Sequence, residues 1–309
     1  MAFNHGFFSA VFGAAMGVMV MVLPVAAAPN VVASIKPIGS LVAAVMDGVG
    51  RPHILVGGNG SPHGYSLKPS DAAALQRADV IFRVGPDLEN FLIAPLESFS
   101  AADRVTTLED SPGLVLLPPR IGGAFEADDD GDQSGAIDPH IWLDPANARI
   151  MVGTIADALA RTDPDNETVY RANAVQTERA LSALQAEVEE MLAPVRGKPF
   201  VVFHDAYQYF EHGFDIDAAG SIVIEPDTPP GAKRLAAIRG ALTRLDAACV
   251  FSEPEFRSAL VDTVIEGSSA RTGVLDPLGS ALADGPDLYF TLIRNLAGGL
   301  ADCLSGNNL

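Results

Sequence analysis

At 309 residues the chain exceeds what one hydrophobic core organises, so two domains or lobes are expected and a disordered or miniature protein is excluded. Hydrophobic residues make up 48% and charged residues 19%, an ordinary globular balance that excludes collagen-like and coiled-coil chains. Lys+Arg total 20 against Asp+Glu 39, and the formal charge of −19 repels phosphate backbones and anionic headgroups while concentrating cations, so nucleic acid is not an expected partner.

No charged side chain precedes Lys36, and the stretch from Phe7 to Leu23 is almost wholly apolar, as in the core of a secretory signal. Val25-Ala26-Ala27 supplies the small residues that signal peptidase reads. Residues 1–27 are therefore expected to be a cleaved signal peptide, His5 leaving with it, and the mature protein to begin near Ala28 in the periplasm. An uncleaved anchor is the alternative, because the leader lacks Lys and Arg ahead of its apolar run. No cysteine lies near the cleavage site, so a lipid anchor there is not expected.

Beyond the leader, β-branched runs alternate with amphipathic stretches. Val31 to Ile35 precedes Leu41 to Met46, His53 to Val56 precedes Asp71 to Ala78, and Asp79 to Val84 precedes Leu88 to Phe99. The second half repeats the habit: Phe200 to Phe203, a helix from about Pro230 to Leu245, Ala248 to Phe251, a helix near Glu255 to Glu266, Thr272 to Leu275, and a closing helix from Asp287. Such alternation predicts an α/β fold, here two lobes with mostly parallel sheets flanked by helices. A short echo links the halves, since Ala78-Asp79-Val80-Ile81-Phe82 with Pro86-Asp87 matches Ala248-Cys249-Val250-Phe251 with Pro254-Glu255 as strand, turn and helix start.

Between the halves, Asp163-Pro164 or Asp165 caps a helical pattern running to about Met191, with Leu181, Leu184, Val188, Met191 and Leu192 at helical spacing. At 1.5 Å per residue such a helix reaches roughly 40 Å, spans both lobes and hinges less easily than extended strands, so large domain closure is not expected. The expected organisation is a signal peptide at 1–27, an N-terminal lobe at 28–162, a linking helix at 163–194 and a C-terminal lobe at 195–309. The only two cysteines, Cys249 and Cys303, are expected to form a disulfide in an oxidising compartment. Closing that loop contributes on the order of 3–4 kcal/mol and pins the final helix to a strand; two buried, unreactive thiols are the alternative.

Four residues carry the chemistry. His63 sits in the turn Gly57-Gly58-Asn59-Gly60-Ser61-Pro62-His63 after a strand, and His140 in Asp138-Pro139-His140-Ile141-Trp142-Leu143-Asp144-Pro145 just before a helix. His204 follows the strand ending at Phe203, and Asp276 follows Val274-Leu275. At least three of the four fall at the carboxyl ends of strands, where open α/β sheets place their ligands. Three imidazoles and one carboxylate, two residues from each lobe, suit a tetrahedral zinc site assembled in the crevice between the lobes. A buried imidazole bonded to backbone is the common alternative for a single histidine, but it accounts poorly for all four residues together.

The remaining charged features read more plainly. His53 and His212 are expected to be surface or packing histidines. Asp128, Asp130 and Asp132 in the run Glu126 to Asp132 have the alternating spacing of a calcium loop, but Gln133 and Pro139 stand where glycine and a bidentate glutamate belong. A solvated acidic loop is expected, with a low-affinity cation collector as its alternative. H-E-x-x-H, G-x-S-x-G, a Walker loop and a complete G-x-G-x-x-G are all missing, so an enzyme is not expected. The competing class is a secreted zinc hydrolase using the three histidines as ligands and Asp276 as general base; a surface adhesin with a stabilising metal is a third.

At these residues the chain resembles the periplasmic zinc-binding proteins of bacterial high-affinity zinc ABC transporters, within the wider family of metal-binding solute receptors. The resemblance rests on Ser61-Pro62-His63-Gly64-Tyr65-Ser66-Leu67-Lys68-Pro69-Ser70-Asp71, Val84-Gly85-Pro86, Asp138-Pro139-His140-Ile141-Trp142-Leu143-Asp144, Phe203-His204-Asp205-Ala206-Tyr207-Gln208-Tyr209-Phe210, Pro230-Gly231-Ala232-Lys233-Arg234 and Leu275-Asp276-Pro277-Leu278-Gly279, which together cover nearly the whole mature chain. It implies two α/β lobes joined by a rigid helix, Zn2+ carried in the cleft by His63, His140, His204 and Asp276, and a monomer delivering the ion to a membrane permease. Manganese receptors of the family carry Glu where His204 stands, so the third imidazole favours zinc; a manganese or iron receptor is the runner-up within the family. Two departures stand out: the acidic loop lacks the histidines often found there, and Pro62 replaces a carboxylate that some members carry just before the first ligand, which throws more weight on Asp276.

Overall fold

A computed structural model of the chain describes residues 1–2, 28–120, 125, 136–223, 230–245, 247–256 and 259–306. The expected leader, apart from its first two residues, and the acidic run Glu126 to Asp132 lie outside the described residues. Among the described residues no helix is long and apolar enough to cross a membrane.

Two parallel four-stranded sheets form the frame. The first has the order β2-β1-β3-β4, from β1 (Val31–Ile35), β2 (His53–Val56), β3 (Val80–Arg83) and β4 (Val105–Thr107). The second has the order β6-β5-β7-β8, from β5 (Phe200–Val202), β6 (Ala218–Ser221), β7 (Cys249–Ser252) and β8 (Arg271–Val274). The two orders are the same pattern, and the echo in the sequence falls on the equivalent third strands, β3 and β7. Every residue of β1 is buried, as a parallel strand covered on both faces requires.

Helices cover these sheets. α1 (Lys36–Val45) follows β1 without a loop, opened by Pro37, and α2 (Pro69–Arg77) follows the His63 turn. The stretch expected as one helix from Leu88 to Phe99 divides into a 3-10 turn, Asn90–Leu92, and the short α3 (Ile93–Ser98). α4 (Pro145–Thr162) is capped by the Asp144 side chain, which accepts the Ala146 N–H, and its Pro145 opens it as expected. A 3-10 turn, Pro164–Asn166, leads into α5 (Glu167–Leu192), the long helix joining the lobes. Its buried residues Tyr170, Ala174, Thr177, Leu181, Leu184, Val188 and Leu192 recur at helical period, giving one stripe that packs on α1, α4 and the final helix.

In the second lobe, α6 (Gln208–Phe214) follows β5, α7 (Ala232–Leu245) precedes β7, α8 (Ala259–Ile265) precedes β8, and α9 (Leu288–Ser305) closes the chain. The helix expected from about Glu255 does not include Glu255 or Phe256 and is described over Ala259–Ile265. Glu253 to Phe256 instead form a turn closed by the Phe256 N–H on the Glu253 carbonyl, at 3.2 Å. Pro254 fits there because it lacks the N–H that a continuing helix would need.

The sheet alternation splits the core. Phe200 and Val202 of β5 face a large apolar cluster running from β1 through α1, α4 and α5 to α9, whereas Val201 and Phe203 face a smaller one under α7 and α8. The larger cluster is shared by both lobes, so the join is a continuous interior as well as a helix. Cys249 of β7 is bonded to Cys303 of α9, with Cα atoms 6.2 Å apart, as the cysteine pair predicts.

Candidate metal centre

The three histidines arrive by different routes. His63 is held in the turn between β2 and α2, where the Tyr65 hydroxyl lies 3.0 Å from both the Leu55 carbonyl and the Asp71 carboxylate. Asp71 also accepts the Lys68 N–H at 2.9 Å, which ties the turn to the start of α2. Gly58, at φ +60°, supplies a left-handed step in this turn that a residue with Cβ adopts reluctantly. His140 stands one residue before a 3-10 turn, Ile141–Leu143, and its Nδ1 is 2.7 Å from Asp138 Oδ1, which also accepts the His140 backbone N–H. His204 leaves the end of β5, and its Nδ1 is 2.7 Å from Oε1 of Glu253, which leaves the end of the neighbouring β7.

With both Nδ1 atoms engaged, the Nε2 atoms of His140 and His204 face each other at 3.4 Å. The His63 ring centroid lies 5.4 Å from that of His140 and 5.7 Å from that of His204. One nitrogen from each of the three rings falls within 4.8 Å of the others. A tetrahedral ion with Zn–N bonds of about 2.0–2.1 Å needs nitrogens about 3.3–3.4 Å apart, which the His140–His204 pair already provides. Carboxylate–imidazole pairs fix the tautomer and ring orientation of metal-binding histidines, and this centre has two.

Burial sets the charge states. It pushes His63 and His140 well below the ordinary imidazole range, helped by repulsion from the other rings. Burial also pulls His204 down, but the Glu253 carboxylate outweighs it and the net direction is up. Burial raises Asp138 to about 7, against the stabilising N–H of His140.

Asp276 behaves differently from the histidines. Its Oδ1 accepts the N–H groups of Leu278 and Gly279 at 3.0 and 2.8 Å, and its Oδ2 the N–H and hydroxyl of Ser280 at 2.7 and 2.8 Å. The structure therefore unites the three predicted imidazoles and leaves every carboxylate of the described residues, Glu255 as well as Asp276, outside their 4.8 Å group. The cleft is lined by Pro62, His63, His140 and Trp142 from the first lobe and by His204, Glu253, Glu255, Phe256 and Pro277 from the second. Burial, then the charge of Asp276, raises the Glu255 carboxyl to about 8.

Sequence reasoning missed Asp138, Glu253 and Glu255. Asp138 was detectable, two residues before a nominated histidine; Glu253 becomes a partner of His204, and Glu255 a lining residue beside it, only once β5 and β7 are known to be neighbours. His53 is exposed on β2 and His212 lies on α6, both apart from the trio, as expected.

The lobes are stitched around this centre. Trp142 Nε1–H donates to the Pro277 carbonyl at 2.9 Å, and the Tyr289 hydroxyl to the Trp142 carbonyl at 2.7 Å. Lys36, at the start of α1, donates to the carbonyls of Ser280 and Leu282 at 3.0 and 2.6 Å. Arg120 Nε donates to both oxygens of Asp205, next to His204, at 3.0 Å, and its Nη1 donates to Glu211 at 2.6 Å.

Two parallel α/β lobes on a long helix, with an imidazole trio between them, define a metal-binding solute receptor. The profile of the family described as "ZnuA: Zinc-uptake complex component A periplasmic" matches residues 31–303, and the chain belongs to that family. It is 48% identical over 306 residues to the "High-affinity zinc uptake system protein ZnuA" of Brucella suis, covering 89% of this chain and 92% of that one. It is 38% identical over 323 residues to the protein of the same name from Paracoccus denitrificans, covering 97% and 98%. Among solved structures, "Crystal structure of ZnuA" superposes with a TM-score of 0.75 at 26% identity, covering 89% of this chain and 99% of that one.

Proposed function

We propose that this protein captures Zn2+ in the periplasm, after export by a cleaved leader, and delivers it as a monomer to the membrane permease of an ABC transporter. His63, His140 and His204 bind the ion through imidazole nitrogens, and a carboxylate completes the shell, Asp276 being the residue the sequence nominates. The observation that carries this reading is the 3.4 Å separation of the His140 and His204 Nε2 atoms, each ring oriented by a carboxylate 2.7 Å behind it. Three nitrogens favour zinc over manganese, which prefers an oxygen-rich set. A filled fourth position leaves no place for an attacking water, so the protein acts as a carrier and not as a hydrolase.

The test is competitive titration of the metal-stripped protein with zinc and manganese against a chelator of known affinity. One tight zinc site, with manganese far weaker, is expected, and His140→Ala and His204→Ala should each weaken it by orders of magnitude while the apo fold persists. Comparable manganese affinity would overturn the zinc assignment, and wild-type affinity in both variants would overturn the site.

A further inference from the structure

One acidic side chain lining the cleft, Glu255, orients none of the three imidazoles. Glu255 sits in the turn after β7, lining the cleft beside His204 and Pro277. Both its carboxylate oxygens are buried and neither takes an N–H or hydroxyl donor; the polar group beside them is the Asp276 carboxylate. Asp276, its neighbour, is in the opposite condition: its two oxygens already accept four hydrogen bonds, three from backbone N–H groups and one from the Ser280 hydroxyl. A carboxylate offers about four lone-pair positions, so Asp276 is saturated by donors of its own loop, whereas Glu255, beside it, accepts from no N–H or hydroxyl. Glu253, the other acid that lines the cleft, is committed through Oε1 to orienting His204.

We infer that Glu255, and not Asp276, gives the carboxylate oxygen that enters the zinc shell beside the three imidazoles. The inference rests on the zinc reading above and names its fourth ligand. A buried carboxylate without donors is costly, and here a divalent cation supplies the missing partner. The acid belongs to the second lobe, so that His204 and Glu255 approach the ion from the ends of adjacent strands, β5 and β7. Asp276 acts as a positioning residue, holding the 276–280 loop against the cleft wall.

The test compares Glu255→Gln, Asp276→Asn and His204→Ala in the full exported protein, stripped with EDTA. Zinc affinity is read by chelator competition, metal-free stability by thermal melting, and the ligand set by the visible absorption of the Co2+-loaded protein. Losing an outer-shell partner costs about 10–100-fold in metal affinity, so Glu255→Gln should lose at least about tenfold. Its metal-free melting temperature should be unchanged or higher, and its Co2+ spectrum altered. Asp276→Asn should keep the wild-type Co2+ spectrum, its deficit showing in melting temperature. Wild-type zinc affinity in Glu255→Gln, or a changed Co2+ spectrum in Asp276→Asn alone, overturns the assignment and returns the fourth position to Asp276. If His204→Ala also retains wild-type affinity, it is the histidine site itself that fails.

Discussion

His140 and His204 meet Nε2 to Nε2 at 3.4 Å from separate lobes, each turned by a different carboxylate on its far side. Carboxylates placed in this way fix the orientation of the two rings, so the orienting acids carry a share of the affinity.

Glu253→Gln should therefore weaken zinc binding by about 10–100-fold although Glu253 is assigned no bond to the ion. Asp138→Asn should act in the same direction through His140. Chelator competition on each variant, with circular dichroism to verify the apo fold, checks this; unchanged affinity in both would mean that the rings are held by packing alone.

Acid should release the ion in stages. Metal binds only the unprotonated imidazole nitrogen, and burial keeps His63 and His140 unprotonated well below the usual range. On His204 burial acts the same way but Glu253 outweighs it, so His204 is the first of the three to gain a proton as pH falls. Among the histidines, affinity should decline first with the loss of one site's nitrogen, by about one log unit per pH unit, and steepen only at lower pH. In Glu253→Gln this first histidine step should move to lower pH. Titrations at stepped pH in both proteins read the slopes, and identical profiles would remove Glu253 from the account.

Reduction of the Cys249–Cys303 bond should cost on the order of 3–4 kcal/mol of unfolding free energy, judged from the 54-residue separation it closes. Its effect on zinc affinity at low temperature should be slight, because neither cysteine lines the cleft. Denaturant unfolding of the oxidised and reduced protein, alongside Cys249→Ser/Cys303→Ser, measures both.

Arg120→Met should destabilise the apo protein by about 3 kcal/mol, because it leaves Glu211, 4% exposed, without its guanidinium partner. Burial already raises the Glu211 carboxyl above its ordinary value, with Arg120 pulling it back. Without Arg120 it rises further, and a folded-state value above the unfolded one means that stability falls as pH increases. The deficit should therefore be larger at pH 8 than at pH 5, a sign that urea titrations at the two pH values can read.

Much of the frame was legible because parallel strands buried on both faces leave unbroken apolar runs, as in Val31 to Ile35. The sequence echo marked β3 and β7, which occupy equivalent positions in the two sheets. Two strands escaped for local reasons: β4, Val-Thr-Thr, is too short to show a period, and β6, Ala-Ala-Gly-Ser, lacks the branched side chains that signal a strand. The imidazole trio was readable from its positions after strands, whereas the acids behind it were not. Glu253 reaches His204 only because β5 and β7 are neighbours, and adjacency of strands is a property of topology. Asp276 was nominated by its position, yet its hydrogen bonds run back into its own loop.

α9 brings Cys303 to β7 and packs against α1 and α5, while Lys36 and Ser40 reach residues between Ser280 and Tyr289. These contacts join the two extremes of the described chain. A chain threaded N-terminus first therefore cannot seal the interior of its first lobe until its last helix has emerged. High contact order of this kind makes folding slow and leaves the early half exposed in the meantime. The molecule closes from its tail, and a truncation that removes α9 would open the lobe at the other end of the sequence.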